Sequence, residues 1–422
     1  MTQTKVFKFG GASISTVERI QQVGHIMEHH NGEPVLVVVS AMGKTTNALE
    51  KVAEAFFEQR STDALRQFDL IKKQHLTIAK YLLVKEYNAC VEQFEGFFTE
   101  AEWLLHDRPV REYDYYYDQI VCIGELLSSA LVAAYLRECG LDAAWVDVRD
   151  VLRTDNNFRE AAVNWSETTE LNQFTITPLL AAGKLVITQG FIGSTHENES
   201  TTLGREGSDY TAAIFANLLD AESQTIWKDV PSVMNADPRQ FPNAEGISAL
   251  SYDEVIEMAY YGAQVIHPKT IKPLFEKRIP LLVKCFLDPN LPGTIISNQR
   301  VKNLPPIIVR KEQQVLIDFR SKDYSFVGEH AVGTLYQLLE RLNLKPNLTQ
   351  NGAISFMAVF DDKPEKLEKL ATQAENLFDV QMRKGLTLFT IRHFTPEKKK
   401  EILGDKELLL LQQTQQTLQA VY

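Results

Sequence analysis

The sequence predicts a two-part α/β protein: a large domain built on a mostly parallel sheet, followed by smaller α+β modules. Three observations predict it. Strand-like and helix-like segments alternate over residues 1–300, as in chains that form a sheet covered by helices. The run PVLVVV at 34–39 is apolar and β-branched, the character of a strand buried on both faces. The breaks DPNLPG at 288–293 and LPP at 304–306 mark a boundary, beyond which a new strand and helix pattern begins. At 422 residues and 44% hydrophobic composition, the chain has material for roughly two or three domains of about 150 residues and for a large core.

Composition narrows the function classes. A formal charge of −11 argues against a nucleic acid as principal partner, because a polyanion needs a basic surface. A small phosphorylated ligand needs only local positive charge. Cys90, Cys122, Cys139 and Cys285 form no C-x-x-C pair, which fits a reducing compartment without a zinc ribbon. No stretch approaches about 18 uninterrupted apolar residues, and MTQTKVFKF lacks a signal peptide's apolar core. The expectation is a soluble cytoplasmic protein without a membrane partner.

The chain opens with KVFKFGGASIS at 5–15, a strand running into a glycine loop. Lysine is rarely buried without a partner, so Lys8 beside Gly10 and Gly11 suggests an anion meeting it there. Two glycines let backbone N–H groups approach phosphate oxygens, and Ser13 adds a hydroxyl. A tight strand-to-helix turn with a snorkelling lysine explains the same residues. Segment 16–30 reads as a helix whose polar face carries His25, Glu28 and His29. Their spacing matches the H-x-x-E-H of inverted zinc proteases, but a solvated face is the expectation, since no further ligand is indicated. The Gly-Lys-Thr at 43–45 is not a P-loop, because Val38 occupies the position of that motif's first glycine. It remains a polar loop at the carboxyl end of a strand, where open α/β sheets bind ligands.

Residues 48–140 read as mostly helical, with YDYYYD at 113–118 expected to pack between helices rather than form a lid. Within the apolar stretch 120–136, Glu125 costs several kcal/mol to desolvate unless it meets a cation. It is therefore either a paired structural residue or a hook for a ligand's ammonium group. Segments 143–148 and 185–189 read as strands, and LGREGSDYTAA at 203–213 as a glycine-bearing loop opening an apolar helix. Ser208 or Asp209 could cap that helix, whose N-terminus also attracts phosphate; Arg205 offers a planar fork suited to a carboxylate. Two such loops in one acidic chain favour a nucleotide or phosphate site.

KFGGAS, VVVSAMGKTTNAL, IGELLS, TQGFIG with TTLGREGSDYTAA, KDVPSVMNADPR and YGAQVIHPKTI occur in the order found in aspartate kinases, and the chain resembles that branch of the amino-acid kinase family. The resemblance covers about residues 4–300 closely and the remainder loosely. It implies the amino-acid kinase fold over 1–300 and, over 301–422, tandem ACT-like regulatory modules of ferredoxin-like type. It implies transfer of the γ-phosphate of ATP, with Mg2+, to the β-carboxylate of L-aspartate, entering the lysine, threonine and methionine pathways.

Carried onto matching positions, the resemblance assigns Lys8 to the transferring phosphoryl group and Gly10, Gly11 and Ser13 to a phosphate cradle. Asp209 would hold Lys8 and organise the site; Arg205 would clasp the α-carboxylate, Glu125 the ammonium, and Thr46 and Ser208 would complete the pocket. The nucleotide loop would contribute Lys228, Asp229, Met234 and Arg239, with Gln264 and Lys269 nearby. Departures fall here. Lys228 replaces a common threonine, Ser232 a glycine, Met234 an aromatic residue and Gln264 a lysine, for which Lys269 could compensate.

Beyond the boundary, 314–319, 344–350 and 354–360 read as strands and 328–342 and 363–376 as helices, the order of an ACT module. A second copy starting at 386–391 would have a short helix at 396–403 and lack its closing helix. Lys398, Lys399 and Lys400 read as a solvated face. ACT modules generally pair through their sheets, implying a homodimer. No downstream dinucleotide-binding domain, and hence no fused homoserine dehydrogenase, is expected. The alternatives are a related kinase acting on glutamate or another small carboxylate, or a non-catalytic amino-acid sensor on a kinase scaffold.

Overall fold

The computed structural model describes residues 3–263, 265–322, 326–404 and 406–422. They form two compact units. The first comprises Met1–Val233, Gly246–Ile256 and Val265–Val301, and the second Met234–Glu245, Glu257–Gln264 and Lys302–Tyr422.

The first unit is built on an eight-stranded sheet in the order Ala249–Ser251, Thr294–Ser297, Leu281–Cys285, Ser223–Lys228, Lys5–Phe9, Val35–Val39, Leu185–Gln189, Ala143–Trp145. From Leu281–Cys285 onward, neighbouring strands run parallel. Thr294–Ser297 runs antiparallel to Leu281–Cys285. Val35–Val39 is buried at every position, as its unbroken apolar run predicts. Lys5–Phe9 sits mid-sheet, with Lys8 in register with Val38 on one side and Ile226 on the other. An opening strand thereby becomes the central one.

Helices Thr45–Phe57, Ser61–Leu82, Tyr87–His106, Tyr113–Val121 and Ile123–Glu138 fill the long helical stretch. Ile123–Glu138 is buried on all its faces, which explains a sequence apolar all round. The segment Tyr113–Glu138 is apolar enough by composition to cross a membrane, yet most of it is buried in this core. Tyr116 and Tyr117 are buried, and Tyr116 meets the Phe56 ring edge-on at 5.2 Å, so the aromatic run packs between helices. His25 and Glu28 face solvent 3.4 Å apart. Among the described residues no cluster of three His, Cys, Asp or Glu side chains could hold a metal ion.

The second unit is a six-stranded antiparallel sheet in the order Leu348–Asn351, Ser355–Asp361, Ile307–Ser321, Phe378–Arg392, Thr417–Val421, Leu410–Gln413. Residues 386–391 do not begin a separate strand. They end Phe378–Arg392, whose first part pairs with Leu316–Ser321 and whose last part pairs with Ile307–Lys311. The long partner strand Ile307–Ser321 therefore serves both halves of the sheet, with register shifts around Gln314 dividing its two tasks. The chain that precedes the first module supplies a strand to the second, a pairing of residues far apart in sequence. Helices Glu329–Arg341 and Pro364–Ala374 cover one core, which includes Phe319, Leu335, Phe356, Phe360 and Leu370. Ile308, Phe389, Ile391, Leu403 and Leu418 belong to another.

Phe356 is buried between the rings of Phe319, at 6.2 Å, and Tyr336, at 6.0 Å. Phe356→Ala should destabilise this unit by about 3–5 kcal/mol. Guanidinium unfolding should show the loss as an earlier transition, and an unchanged midpoint would contradict the packing described.

Candidate active site

The first unit gathers polar side chains at the carboxyl ends of its parallel strands, the end at which open α/β sheets bind ligands. Lys8 is the penultimate residue of the central strand. Its Nζ lies 2.7 Å from Asp209 Oδ1, and the two side chains are 13% and 7% exposed. Asp209 stands in the first turn of Gly207–Leu218. Asp209 is thus held by its helix, Lys8 by its strand, and each charge neutralises the other in a site that excludes most water. A Cβ added at Gly10 would lie 3.3 Å from Lys8 Nζ, so glycine leaves the ammonium approachable from the loop.

Gly11 is tightly enclosed: a Cβ there would lie 2.4 Å from the Ala41 carbonyl oxygen. The Gly43 N–H donates to the Gly11 carbonyl at 3.0 Å, joining the first loop to the loop after Val35–Val39. Ser13 is buried and is occupied structurally, its Oγ donating to the Trp227 carbonyl at 3.2 Å and its N–H to the Gly10 carbonyl at 2.9 Å. Ser13 therefore shapes the glycine loop, and the Trp227 ring lies parallel to Phe9.

The helix holding Asp209 is not capped by Ser208 or Asp209, contrary to the sequence expectation. Glu206 occupies the N-cap position with φ 54°, and both candidates lie inside the first turn. A Cβ at Gly190 would sit 2.5 Å from Ser208 Cβ, so the end of Leu185–Gln189 closes directly onto the start of this helix. Gly190 stands in the TQGFIG motif, but its close approach to Ser208, a residue distant in the chain, is not legible there. Arg205 is exposed just ahead of the helix.

Glu125 lies in the first turn of Ile123–Glu138 and is 2% exposed. Burial pushes its carboxyl up to about 8, with hydrogen bonding from its own N–H and that of Ala41 opposing the shift. Its Oε2 has no hydrogen-bond partner. Gly124 makes the approach possible, because a Cβ there would come within 3.1 Å of Ala41 Cβ and 3.3 Å of Thr45 Cγ2. The 41–43 loop is thus enclosed by Gly11 on one side and Gly124 and Glu125 on the other, with half-buried Thr46 in the first turn of the helix that follows. The alternative of a paired structural carboxylate finds no cation beside Glu125 among the described residues.

The nucleotide-loop candidates are dispersed. Lys228 ends its strand and its Nζ donates to the Val265 carbonyl at 2.7 Å, while Asp229 is exposed. Lys269 Nζ donates to the Leu203 carbonyl at 2.9 Å and lies 5.0 Å from the centre of the Tyr210 ring, beside the loop that carries Arg205. Met234 and Arg239 belong to the second unit, where Met234 is half-buried and Arg239 is exposed and paired with Asp237 at 2.9 Å. Gln264 lies outside the described residues.

Comparison with known proteins gives this geometry a family. Residues 3–285 match the Amino acid kinase family. The chain is 31% identical over 404 residues to the Lysine-sensitive aspartokinase 3 of Escherichia coli, spanning 93% of this chain and 87% of that protein. It is 34% identical over 305 residues to a bifunctional aspartokinase/homoserine dehydrogenase of Zea mays, of which it spans 32%. The crystal structure of E. coli aspartokinase III in complex with aspartate and ADP superposes with a TM-score of 0.80 at 28% identity, covering 99% of this chain and 96% of that one. An opening lysine strand at the centre of a parallel sheet, glycine loops at its carboxyl edge and this likeness over nearly the whole length together lead to one conclusion: the chain belongs to the amino acid kinase family, among the aspartokinases.

Proposed function

We propose that the protein phosphorylates the β-carboxylate of L-aspartate with ATP, forming 4-phospho-L-aspartate and ADP, the first step towards lysine, threonine and methionine. The observation that carries the reading is the buried Lys8–Asp209 pair at the carboxyl edge of the sheet. The nucleophile, a carboxylate of pKa about 3.9, is already ionised at neutral pH and needs no general base. The difficulty is bringing one anion against another, so catalysis rests on charge neutralisation and alignment. One carboxylate oxygen bonds to the γ-phosphorus as the bond to the β,γ-bridging oxygen breaks, and ADP leaves with that electron pair. Lys8 faces the transferring oxygens, and Asp209 orients it.

Gly10 and Gly11 bring backbone close to the phosphates, with Ser13 holding the loop's shape. Arg205 takes the α-carboxylate and Glu125 the ammonium, while Thr46 and Ser208 line the same crevice. Lys228, Asp229 and Lys269 are the nucleotide-side residues of the first unit. Mg2+ would travel on the nucleotide, since it is commonly held by phosphate oxygens with one or two carboxylates. Asp209 is the carboxylate at hand, and the ion would offset phosphate charge. Residues 301–422 act as an ACT-like regulatory region sensing an amino acid. The outer strands Leu348–Asn351 and Leu410–Gln413 leave sheet edges that support a homodimer. A cytoplasmic location completes the reading.

Hydroxylamine trapping tests the activity. Aspartyl hydroxamate should form with MgATP and L-aspartate, fall at least about 100-fold in Lys8→Ala, and not be matched by L-glutamate. Because removing one partner of a buried ion pair destabilises a fold, circular dichroism must show the variant folded. No hydroxamate from the folded parent protein would overturn the reading. Arg205→Ala, at an exposed position, should keep the thermal midpoint and raise KM for aspartate at least about tenfold. An unchanged KM would remove Arg205 from the pocket.

A further inference from the structure

Asp118, Glu125, Asp209 and Glu254 are buried carboxylates of the first unit, and the surroundings of the first three differ. Asp209 has Lys8 at 2.7 Å. Asp118 accepts from the N–H groups of Arg159, at 2.9 Å, and Thr202, at 2.8 Å, and from the Thr202 hydroxyl at 2.7 Å. Glu125 has the 41–43 loop backbone on one side and an Oε2 without any partner.

The charged groups on elements packed around the Glu125 helix do not neutralise it. Lys44 is exposed. Glu50 accepts the Tyr117 hydroxyl at 2.8 Å, and Glu100 pairs with Arg149 at 2.6 Å. His75 is buried, its Nδ1 donating to the Ile71 carbonyl, and burial lowers its pKa to about 4, so the ring is neutral. The Cys122 thiol donates to the Gln119 carbonyl, and burial raises its pKa, keeping it protonated. A buried carboxyl without a counter-charge holds its proton, because ionisation in that place has nothing to offset desolvation.

From this geometry we infer that Glu125 is a protonated carboxylic acid in the unliganded enzyme and ionises when the substrate's ammonium group arrives, so that aspartate binding releases a proton. This rests on the proposed role of Glu125 as the ammonium hook. The balance is simple: the Glu125 O–H bond breaks, its proton leaves to solvent, and the carboxylate pairs with the entering ammonium. The pocket thereby selects an amino acid over a dicarboxylate without the amine, since only the former brings the charge that makes ionisation favourable.

Calorimetric titration of L-aspartate into the full chain at pH 7, in phosphate and in Tris, reads the proton from the difference in buffer ionisation heats. Release should be about 0.9 proton per aspartate, and the apparent Kd should fall about fiftyfold from pH 6 to pH 8. Glu125→Gln should bind aspartate weakly and without proton release. A second measurement needs no ligand. The folded protein keeps this proton after the unfolded chain loses it near 4.5, so between that value and about 8 folding stability decreases as pH rises. Glu125→Gln should remove that part of the slope. Equal proton-corrected and raw heats with aspartate bound, or an identical stability slope in the variant, would overturn the inference and leave the kinase intact. Absence of both aspartate binding and hydroxamate would remove the kinase reading as well.

Discussion

The first unit is arranged around one ion pair, Lys8 with Asp209, held 2.7 Å apart and almost out of water. Burying two charges is costly unless each is the other's close partner. That requirement sets the placement of a strand and a helix that are far apart in the chain. The strand must run mid-sheet to bring Lys8 to its carboxyl edge, and the helix must begin against the same edge to present Asp209 in its first turn. Gly190 and Gly11 are the steric conditions for it, since a side chain at either would drive apart loops that converge on the pair. A chain of net charge −11 thereby presents an ammonium group where an anion can approach it.

Around that pair, charge is distributed unevenly in a way that suits an amino-acid substrate. The proposed phosphoryl side carries Lys8, with Lys228 and Lys269 tethered to backbone carbonyls in the same unit. The proposed amino-acid side carries an exposed guanidinium at Arg205 and a buried carboxyl at Glu125. One loop, Ala41 to Gly43, touches both neighbourhoods, through Gly11 and through Glu125. The same few backbone atoms therefore fix the distance between the proposed phosphate cradle and the proposed ammonium site.

In the second unit the organising constraint is backbone pairing. Two strands, Ile307–Ser321 and Phe378–Arg392, run through both halves of one sheet, and a local irregularity near Gln314 divides them. The second half borrows residues 307–311, which precede the first half in the chain. A second module that looks truncated along the chain is given a further strand in space by residues placed ahead of the first module.

Local chemistry determined much of this protein from the sequence alone. The unbroken apolar run at 34–39 reads as a strand buried on both faces and the segment carrying Glu125 as helical, and both elements are found. Glycines next to Lys8, and the ordered motifs around them, marked the family and the place of the proposed site. What the tertiary structure decided were the contacts between distant residues. Ser13 is turned towards the Trp227 carbonyl, Ser208 lies inside its helix with Gly190 packed against it, and among the described residues no cation pairs with Glu125. The shared strands follow the same rule. Periodicity records which face of an element is apolar, whereas partner, register and the presence of a counter-charge depend on which segments the folded chain brings side by side.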